Sequence, residues 1–374
     1  MFYQSESLGS REKYRESLSV IGSLSNLFSD SKTPYLYYRV AEKVFCNSFL
    51  AEDLSRGDVA LDAHKNKIGI GLKTFLAGNY RTFQKVAEFN KDKHLYEGKT
   101  PKEIVEVIAS LRNHRIEFTE KIFDIKESYY HCVIRDNHAF KIYEEPMDLI
   151  KFDAISGIKQ KRNIIKFHDN LHEYSFNLSK STLTKRFVTD RVEDEFEVKI
   201  LANPLQEIQT CFASKELQYS VNDRVIESTY LPLYGKDKNV YERSGLNQWN
   251  ASGRERDVNE VYIPIPAKVH QLAKGFFPPR DEPFELILPN GKSLRSKVCQ
   301  DNSKALMSHS NKALGEWILR EVLSLKEGEL LTYDKLQQIG VDSVRIDKIS
   351  KSIYKIHFAS IDSYENYVDA ATLV

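Results

Sequence analysis

Between residues 68 and 73 an apolar side chain alternates with a glycine or a lysine, in the order Ile-Gly-Ile-Gly-Leu-Lys. A period of two residues separates side chains onto two faces only when the chain is extended as a β-strand. Asn66 and Lys67, followed by Gly69, supply turn chemistry in front of this strand. Residues 58–75 are therefore predicted to form a β-hairpin with one apolar face.

The predicted hairpin also carries acids near its start and a single lysine near its end. Asp62 opposite Lys73 is a pair that suits metal-dependent cleavage of a phosphodiester. The acid can hold a divalent cation, and the lysine can orient a water and stabilise the charge of the pentavalent state. An ordinary surface hairpin with a solvated lysine contains the same residues, and short acid-to-lysine patterns are common. The spacing alone leaves both interpretations open.

Composition restricts the class of protein more than its activity. With 374 residues the chain is long enough for two domains. Its net charge of +1 gives no overall positive field that would indicate nucleic-acid binding, although local patches can still be basic. The cysteines are far apart and form no CxxC pair, which favours a reducing compartment over a disulfide framework or a zinc site; they stand at positions 46, 132, 211 and 299. No run approaches the ~18 apolar residues of a membrane helix. We expect a soluble cytoplasmic protein with no membrane partner.

Mixed helical and strand patterns follow one another in the first 243 residues. A helix is predicted over 33–50, with Thr33 as its cap and Pro34 in its first turn. The other predicted helices cover 80–89 and 102–123, and the predicted strands cover 129–135, 139–143, 163–167 and 198–201. Residues 179–186 form a polar, basic loop, in which Ser179 or Ser181 could instead cap a short helix.

Glycines among polar residues over 234–253 indicate a domain boundary, and we place the two domains at 1–243 and 244–374. Beyond the boundary the pattern is largely β. The predicted strands are 261–265, 284–288, 294–299, 344–346 and 354–358, and one helix is predicted around 314–322. Pro289, Asn290 and Gly291 form a strong hairpin turn. Between residues 266 and 312 eight Lys/Arg stand against four Asp/Glu, a modest surplus that fits a solvated face and also suffices for phosphate contacts.

Three blocks of the C-terminal half carry a family resemblance: residues 247–266, residues 284–306, and Leu314-Gly315-Glu316-Trp317. In this order they resemble the DNA-binding domain of NgoFVII-type restriction endonucleases, over roughly residues 244–347. The resemblance implies a mainly β pseudobarrel related to the plant B-three transcription-factor domain and to the effector domain of EcoRII. It also implies two arms that grip the major groove, here 249–259 and 301–312.

The same resemblance implies the residues that would contact DNA. Arg254 and Arg256 would read guanine edges, and amide or hydroxyl side chains of the arms would read adenine or contact phosphate. These polar side chains are Asn250, Asn302, Ser303 and Asn311, and the arms also carry Lys304 and Lys312. For each residue the alternative is a phosphate contact without base reading, or a solvated loop position.

The N-terminal half departs from the phospholipase-D-like domain that NgoFVII-type enzymes usually carry. His64 is followed by Lys65 and Lys67, so the HxK spacing is absent, and the segment after His172 supplies no lysine either. A metal-independent histidine nucleophile is therefore disfavoured.

This half resembles instead the PD-(D/E)XK nuclease core, an α/β (α+β) fold shared by most type II restriction enzymes. Asp62 matches the first acid and Lys73 matches the lysine, but Gly71 stands where the second acid belongs. Glu42, on the helix before the hairpin, is the best substitute, and Asp58 is the next.

The resemblance implies a Mg²⁺ site made by Asp62, Glu42 and the carbonyl of Leu72, with Lys73 positioning the attacking water. A Glu42 paired with its helix neighbours Lys43 or Arg39, and a purely structural Asp62, are the alternatives. In the loop over 179–186, we select Lys180 and Arg186 as the phosphate-binding residues.

The sequence thus predicts a type II restriction endonuclease of bacterial or archaeal cytoplasm that cuts double-stranded DNA with Mg²⁺. A single site must visit both strands in turn or act in a homodimer on DNA, and a cognate methyltransferase is expected as a separate gene product. Two alternatives stay open. One is a sequence-specific DNA-binding protein with a degenerate nuclease domain, and the other is a metal-independent nuclease of phospholipase-D type.

Overall fold

The computed structural model describes residues 1–55, 59–213 and 225–372, and it divides into two compact units. The first unit is Met1–Glu120 with Ile125–Ser220, and the second is Val221–Val374 with Lys121–Asp124. The second unit begins upstream of the predicted boundary at 243/244. The reason is that strand Glu227–Pro232 is hydrogen-bonded to Val341–Lys348 and so belongs to the second unit's sheet.

The first unit contains two sheets and several helices. Its strands are β1 (Glu52–Asp53), β2 (Ala63–Lys65), β3 (Ile68–Leu76), β4 (Arg81–Glu88), β5 (Glu127–Asp136), β6 (Ala139–Pro146), β7 (Ser156–Lys161), β8 (Ile164–His168), β9 (Glu173–Asn177), β10 (Thr182–Val188) and β11 (Asp194–Glu197). Its helices are α1 (Phe2–Ser5), α2 (Leu8–Ser23), α3 (Tyr38–Phe49), α4 (Lys93–Tyr96), α5 (Pro101–Ile122) and α6 (Pro204–Ala213).

The six-stranded sheet has the order β1-β2-β3-β5-β6-β11. Strands β3 and β5 are parallel, and the other neighbours are antiparallel. One face of the sheet packs under α2 and α3, where Ile70 and Leu72 of β3 meet Phe45 and Phe49 of α3 in one buried cluster. Burial of each such side chain stabilises the fold by roughly 1.5–3 kcal/mol, so the apolar stripe of β3 fixes which face receives α3.

The predicted hairpin is confirmed by the pairing of β2 with β3. Asn66 and Lys67 have φ angles of 49° and 66°, the left-handed conformations that a tight two-residue turn between twisted strands requires. Asp58, the second substitute for the missing acid, lies outside the described residues.

The five-stranded sheet is antiparallel throughout, with the order β4-β10-β9-β8-β7. Its inner face packs against α5, whose predicted range of 102–123 is confirmed. The helix predicted over 80–89 is wrong, because this segment is β4 and pairs along its whole length with β10, from Arg81–Val188 to Glu88–Thr182. The short helix considered after Ser179 or Ser181 is also wrong, since this segment is the turn between β9 and β10 and the start of β10.

Two smaller expectations for the first unit need correction. Helix α3 begins at Tyr38, later than predicted, and no side chain caps it, so Thr33 and Pro34 precede the helix rather than start it. The strand predicted at 198–201 lies earlier in the chain, as β11, where it pairs with β6.

The second unit is built on one seven-stranded sheet. Its strands are β12 (Glu227–Pro232), β13 (Ile263–Pro264), β14 (Pro283–Ile287), β15 (Ser293–Cys299), β16 (Ala305–Ser308), β17 (Val341–Lys348) and β18 (Ile353–Ser360). Its helices are α7 (Ala267–Leu272), α8 (Ala313–Gly315), which continues as a π-helical segment Glu316–Val322, α9 (Tyr333–Ile339) and α10 (Ser363–Thr372). The strand order is β12-β17-β18-β14-β15-β16-β13, and the two edge strands contact each other. This nearly closed, barrel-like sheet fits the predicted pseudobarrel.

The hairpin predicted around Pro289, Asn290 and Gly291 is confirmed as the connection between β14 and β15. Gly291 has a φ of 80°, which glycine adopts without the steric cost of a Cβ. Among the described residues, no helix is both long enough and apolar enough to cross a membrane.

Candidate active site and nucleic-acid interface

The predicted pair Asp62 and Lys73 lies together at the hairpin. The Leu72 amide donates a hydrogen bond to Asp62 Oδ2 at 2.7 Å, and Lys73 Nζ lies 3.9 Å from the same oxygen. Lys73 Nζ also donates to the Leu72 carbonyl oxygen at 3.0 Å. Because the Asp62 amide donates to the Ile70 carbonyl at 2.8 Å, the hairpin backbone itself holds the carboxylate opposite the lysine. About a quarter of each side chain is exposed, so both can reach a substrate.

Helix α3 brings the third predicted residue, Glu42, to the same place. Its carboxylate is almost completely buried, and Arg39 Nη1 donates to its Oε2 at 3.0 Å. Burial raises the pKa of Glu42, and the negative charge of Asp62 raises it further. The carboxylates of Glu42 and Asp62 therefore lie close enough to repel each other. The pairing of Glu42 with Arg39, considered from the sequence as an alternative, is real, but it is a half-buried pair and not a surface one.

The gap at Gly71 is filled by neighbouring side chains. A Cβ at this position would collide with Met147 Cε and would lie 3.3 Å from Tyr130 Cδ1. The Tyr130 ring centroid also lies 5.9 Å from Lys73 Nζ. No carboxylate fits at position 71 unless Met147 moves, so a second acid for this site has to come from another element, and Glu42 on α3 is the predicted substitute.

Glu145 lies in register with Gly71 on the same sheet, and its partner Lys185 comes from the other sheet. Gly71, Tyr130 and Glu145 are register partners on β3, β5 and β6, and Glu145 forms an ion pair with Lys185 of β10. Lys185 is only 1% exposed, with its Nζ 4.5 Å from the Phe187 ring centroid. Sequence reasoning missed this pair, because its members are distant in the chain and lie on strands of two different sheets.

The two histidines weighed for a phospholipase-D-type site both contact carboxylates. His64 Nε2 lies 2.9 Å from Glu52 Oε2, and His172 Nε2 lies 3.0 Å from Asp148 Oδ2. Neither contact gives the His-to-Lys arrangement of that family.

The predicted phosphate-binding residues of the first unit lie at the five-stranded sheet. Lys180 is exposed in the turn between β9 and β10. Arg186, on β10, donates through Nε to Glu173 Oε2 at 2.7 Å, and its guanidinium carbon lies 4.3 Å from the Phe83 ring centroid.

In the second unit, the first predicted arm contains two arginines with different surroundings. Arg256 Nη1 donates to the carbonyls of Ala251 at 2.7 Å and Ser252 at 3.3 Å, and only 15% of its side chain is exposed. Arg256 therefore braces the arm. Arg254 has 55% of its side chain exposed and forms an ion pair with the buried Glu260.

Asn250, in the same arm, donates through its side-chain amide to the Glu242 carbonyl at 3.2 Å. This bond occupies one of the two donors of the amide and leaves its carbonyl oxygen available to a base edge.

The second predicted arm is interrupted by a buried strand. All four residues of β16 are buried, which leaves exposed chain only before and after it. Asn302, Ser303 and Lys304 precede the strand, whereas Asn311 and Lys312 follow it. At ~3.4 Å per residue, the four residues of β16 separate these two groups by about 14 Å.

The first arm lies at the end of β16 that leads to Asn311. A Cβ at Gly315 would collide with the Asn259 carbonyl, so the first arm and the end of α8 are in direct contact. Arg320 Nε donates to Asn259 Oδ1 at 2.7 Å and fixes the same contact. At the other end of β16, the Ile265 amide donates to the Lys304 carbonyl at 2.8 Å.

Residues 222–350 match the family model of the NgoFVII C-terminal B3-like DNA-binding domain. The second unit is thus similar to the DNA-reading part of a restriction enzyme. The match begins where the second unit begins, and it covers the blocks that carried the sequence resemblance. It supports double-stranded DNA as the partner of this unit. No curated protein matches the chain.

Proposed function

We propose that this chain is a site-specific DNA endonuclease of restriction type, in which the first unit cuts and the second unit recognises the sequence. The observation that carries the proposal is the convergence of Glu42, Asp62 and Lys73 in the first unit. A site-reading unit like the second one needs an effector beside it, and this group of two acids and a lysine has the composition of a phosphodiester-cleaving centre.

The donor set fits Mg²⁺ in its chemistry. Glu42 and Asp62 offer carboxylate oxygens, which Mg²⁺ prefers as ligands. Their mutual repulsion, visible in the raised pKa of Glu42, is the electrostatic condition that a bound cation relieves. The Leu72 carbonyl, the third expected ligand, already accepts a hydrogen bond from Lys73. A cation bound there would supply charge neutralisation and a more acidic water.

The residues of the chain have separable tasks in this proposal. Lys73 is anchored by Asp62 and by the Leu72 carbonyl, so its ammonium is oriented before substrate arrives, and it can hold the attacking water and stabilise charge on the phosphate. Glu42 has to lose its proton to serve as a ligand, and its raised pKa delays that loss to a higher pH.

Recognition would fall to the exposed polar side chains at the arms of the second unit. Arg254 is the better candidate for guanine reading, because 55% of its side chain is exposed, against 15% for Arg256. Asn311 and Lys312 are exposed beyond β16, and so are Asn302 and Lys304 before it. The Arg295 carbonyl accepts a hydrogen bond from the His309 amide at 2.7 Å, which places Arg295 next to the end of β16. Its side chain is exposed, so Arg295 is a further candidate for a phosphate contact.

A second candidate function is sequence-specific DNA binding without cleavage. The observation that favours it is Gly71, whose surroundings are packed with Met147 and Tyr130 instead of a carboxylate.

Incubation of the full chain with plasmid DNA of mixed sequence, in Mg²⁺ or in EDTA, separates these functions. Discrete fragments in Mg²⁺ alone are expected. Binding without cutting in either condition would support the second candidate, and cutting that survives EDTA would support a metal-independent nuclease. Lys73→Ala should abolish cutting and keep DNA binding, whereas Lys102→Ala, with a lysine side chain 77% exposed on α5, should cut like the parent.

The same digestion tests how one site cuts two strands. Accumulation of nicked circles before linear DNA would indicate sequential cutting by one chain. Direct appearance of linear DNA, together with a dimer on DNA in sedimentation, would indicate a homodimer.

A further inference from the structure

The outer face of the five-stranded sheet in the first unit is rich in cationic side chains. Strand alternation and register place one set of side chains opposite the buried inner face, and we name this set the basic sheet face. Its charged members are Arg81, Lys85, Lys159, Lys161, Lys166 and Arg186, with Glu88 and Glu173 as carboxylates.

The inner face of the same sheet is covered by the apolar cluster around α5, and this shows which side chains of the sheet point outward. Ile165, Phe167, Tyr174, Phe176 and Leu183 are buried and share one apolar cluster with α5. Their chain neighbours on β8, β9 and β10 must therefore point away from the helix. Burial along β8 alternates strictly between exposed and buried, as this arrangement requires.

Most of the positive charge on this face is not neutralised. Lys85 pairs with Glu88, and Arg186 pairs with Glu173. In the part of the chain that the structure describes, Arg81, Lys159, Lys161 and Lys166 form no ion pair, and these three lysines are exposed. Six cations against two carboxylates on one sheet face contrast with a net charge of +1 for the whole chain.

One row of the face runs across all five strands and contains three lysines and two hydroxyl side chains. The register partners in this row are Lys85, Thr184, Ser175, Lys166 and Lys159, in the order of the strands. With ~4.8 Å between neighbouring strands, the row spans about 19 Å. Lysine and hydroxyl side chains are the common donors to phosphate oxygens in protein–DNA contacts.

We propose that the basic sheet face binds the phosphate backbone of duplex DNA without reading its sequence. This inference rests on the proposed function, since it assumes that the chain acts on DNA. The charge of the face complements phosphate, and its side chains offer donors across the full width of the sheet. Proteins that hold single strands present a series of aromatic platforms for bases. On this face Arg186 covers the ring of Phe83, and the imidazole of His168 lies 3.1 Å from the Ser156 hydroxyl, so neither ring is a free platform.

The test is the salt dependence of binding to a non-cognate duplex, measured with the full chain in EDTA so that no cutting intervenes. The variant carries Lys159→Gln, Lys161→Gln and Lys166→Gln together. The plot of log affinity against log salt concentration should become less steep by about 2.7, because each lost phosphate contact removes about 0.9 from the slope. The matched control removes three exposed lysines on the helix side of the same sheet, by Lys93→Gln, Lys99→Gln and Lys102→Gln, and should keep the parent slope.

An unchanged slope in the first variant, or an equal change in both variants, would overturn the proposal. Thermal unfolding of the two variants should match the parent, which excludes misfolding as the cause. The outcome is independent of catalysis. If the parent never cuts DNA but the slope changes as expected, the basic sheet face stands and the proposed active site does not. If the parent cuts DNA and the slope is unchanged, the proposed endonuclease function stands and the DNA-binding role of the basic sheet face does not.

Discussion

The candidate active site and the basic sheet face, both in the first unit, hold their charges in opposite ways. Asp62 and Lys73 form an ion pair, the charge of Asp62 acts on the buried Glu42, and all three side chains are wholly or mostly shielded from water. Lys159 and Lys166 are exposed and form no ion pair with a described residue. A shielded charge has its position and protonation set by its neighbours, whereas an exposed charge costs little to keep and acts through its field. Substitutions in the candidate active site should therefore change the cutting rate and the stability, whereas substitutions on the basic sheet face should change the salt dependence of DNA binding.

The largest effect is expected from Asp62→Asn. The amide can still accept the hydrogen bond of the Leu72 amide, so the hairpin is preserved, but the charge that faces Lys73 and Glu42 is lost. The rate of DNA cutting should fall by roughly 10³-fold, as for removal of one oriented electrostatic group in other enzymes, while gel-shift affinity stays near that of the parent. A variant that cuts at the parent rate would remove Asp62 from the site.

A second shielded group tests whether burial of charge matters for stability as well. His131 is fully buried, with its Nε2 3.0 Å from Tyr14 Oη and its Nδ1 2.7 Å from Glu144 Oε1. Glu144 Oε2 also accepts from the Tyr3 amide at 2.9 Å. Glu144→Ala should lower the free energy of unfolding by about 3 kcal/mol, because it leaves buried partners without a bond.

Urea unfolding of the full chain measures this loss. The control is Glu97→Ala, whose side chain is 66% exposed and whose pair with Lys93 is a surface pair, so its effect should stay within about 0.5 kcal/mol. Equal effects for the two substitutions would contradict the distinction between shielded and exposed charges.

The raised pKa of Glu42 gives a pH-dependent prediction. The folded state keeps the Glu42 proton to a higher pH than the unfolded chain does, so stability is lost as pH rises through the folded pKa. Glu42→Gln cannot ionise and should avoid this loss. The variant should be more stable than the parent at pH 8 and should lose this advantage near pH 4, where the parent is protonated in both states. The free energy of unfolding of the variant and the parent, measured at the two pH values, checks this prediction. A stability gain that is larger at pH 4 than at pH 8 would contradict it.

How much of the fold the sequence predicts depends on how far apart in the chain the contacting residues are. The β2–β3 hairpin and the β14–β15 hairpin were predicted because a turn and a two-residue period are local signals. The five-stranded sheet was mostly missed, since β4 is joined to β10 by partners about a hundred residues apart, and a helical pattern fits β4 equally well in isolation.

The same reason explains which site residues could be predicted. Asp62 and Lys73 lie on one hairpin, so their approach follows from local pairing. Glu42 was selected only through the family resemblance, and its burial follows from the packing of α3 on the sheet. The Glu145–Lys185 pair has no local signal, because it joins β6 and β10, which belong to two different sheets.

The smallest expected effects separate two arginines of the second unit, where shielded and exposed cations occur on one arm. Arg256→Ala removes bonds to the Ala251 and Ser252 carbonyls and should lower stability by about 1 kcal/mol. Arg254→Ala removes a half-exposed side chain and should change stability less, but should weaken binding to the recognised sequence by about 1–3 kcal/mol. Thermal unfolding and competition binding against non-cognate DNA measure the two effects. Loss of sequence preference in Arg256→Ala alone would assign base reading to the more buried arginine. On this arm it would then be wrong that exposed cations contact DNA while shielded ones stabilise the fold.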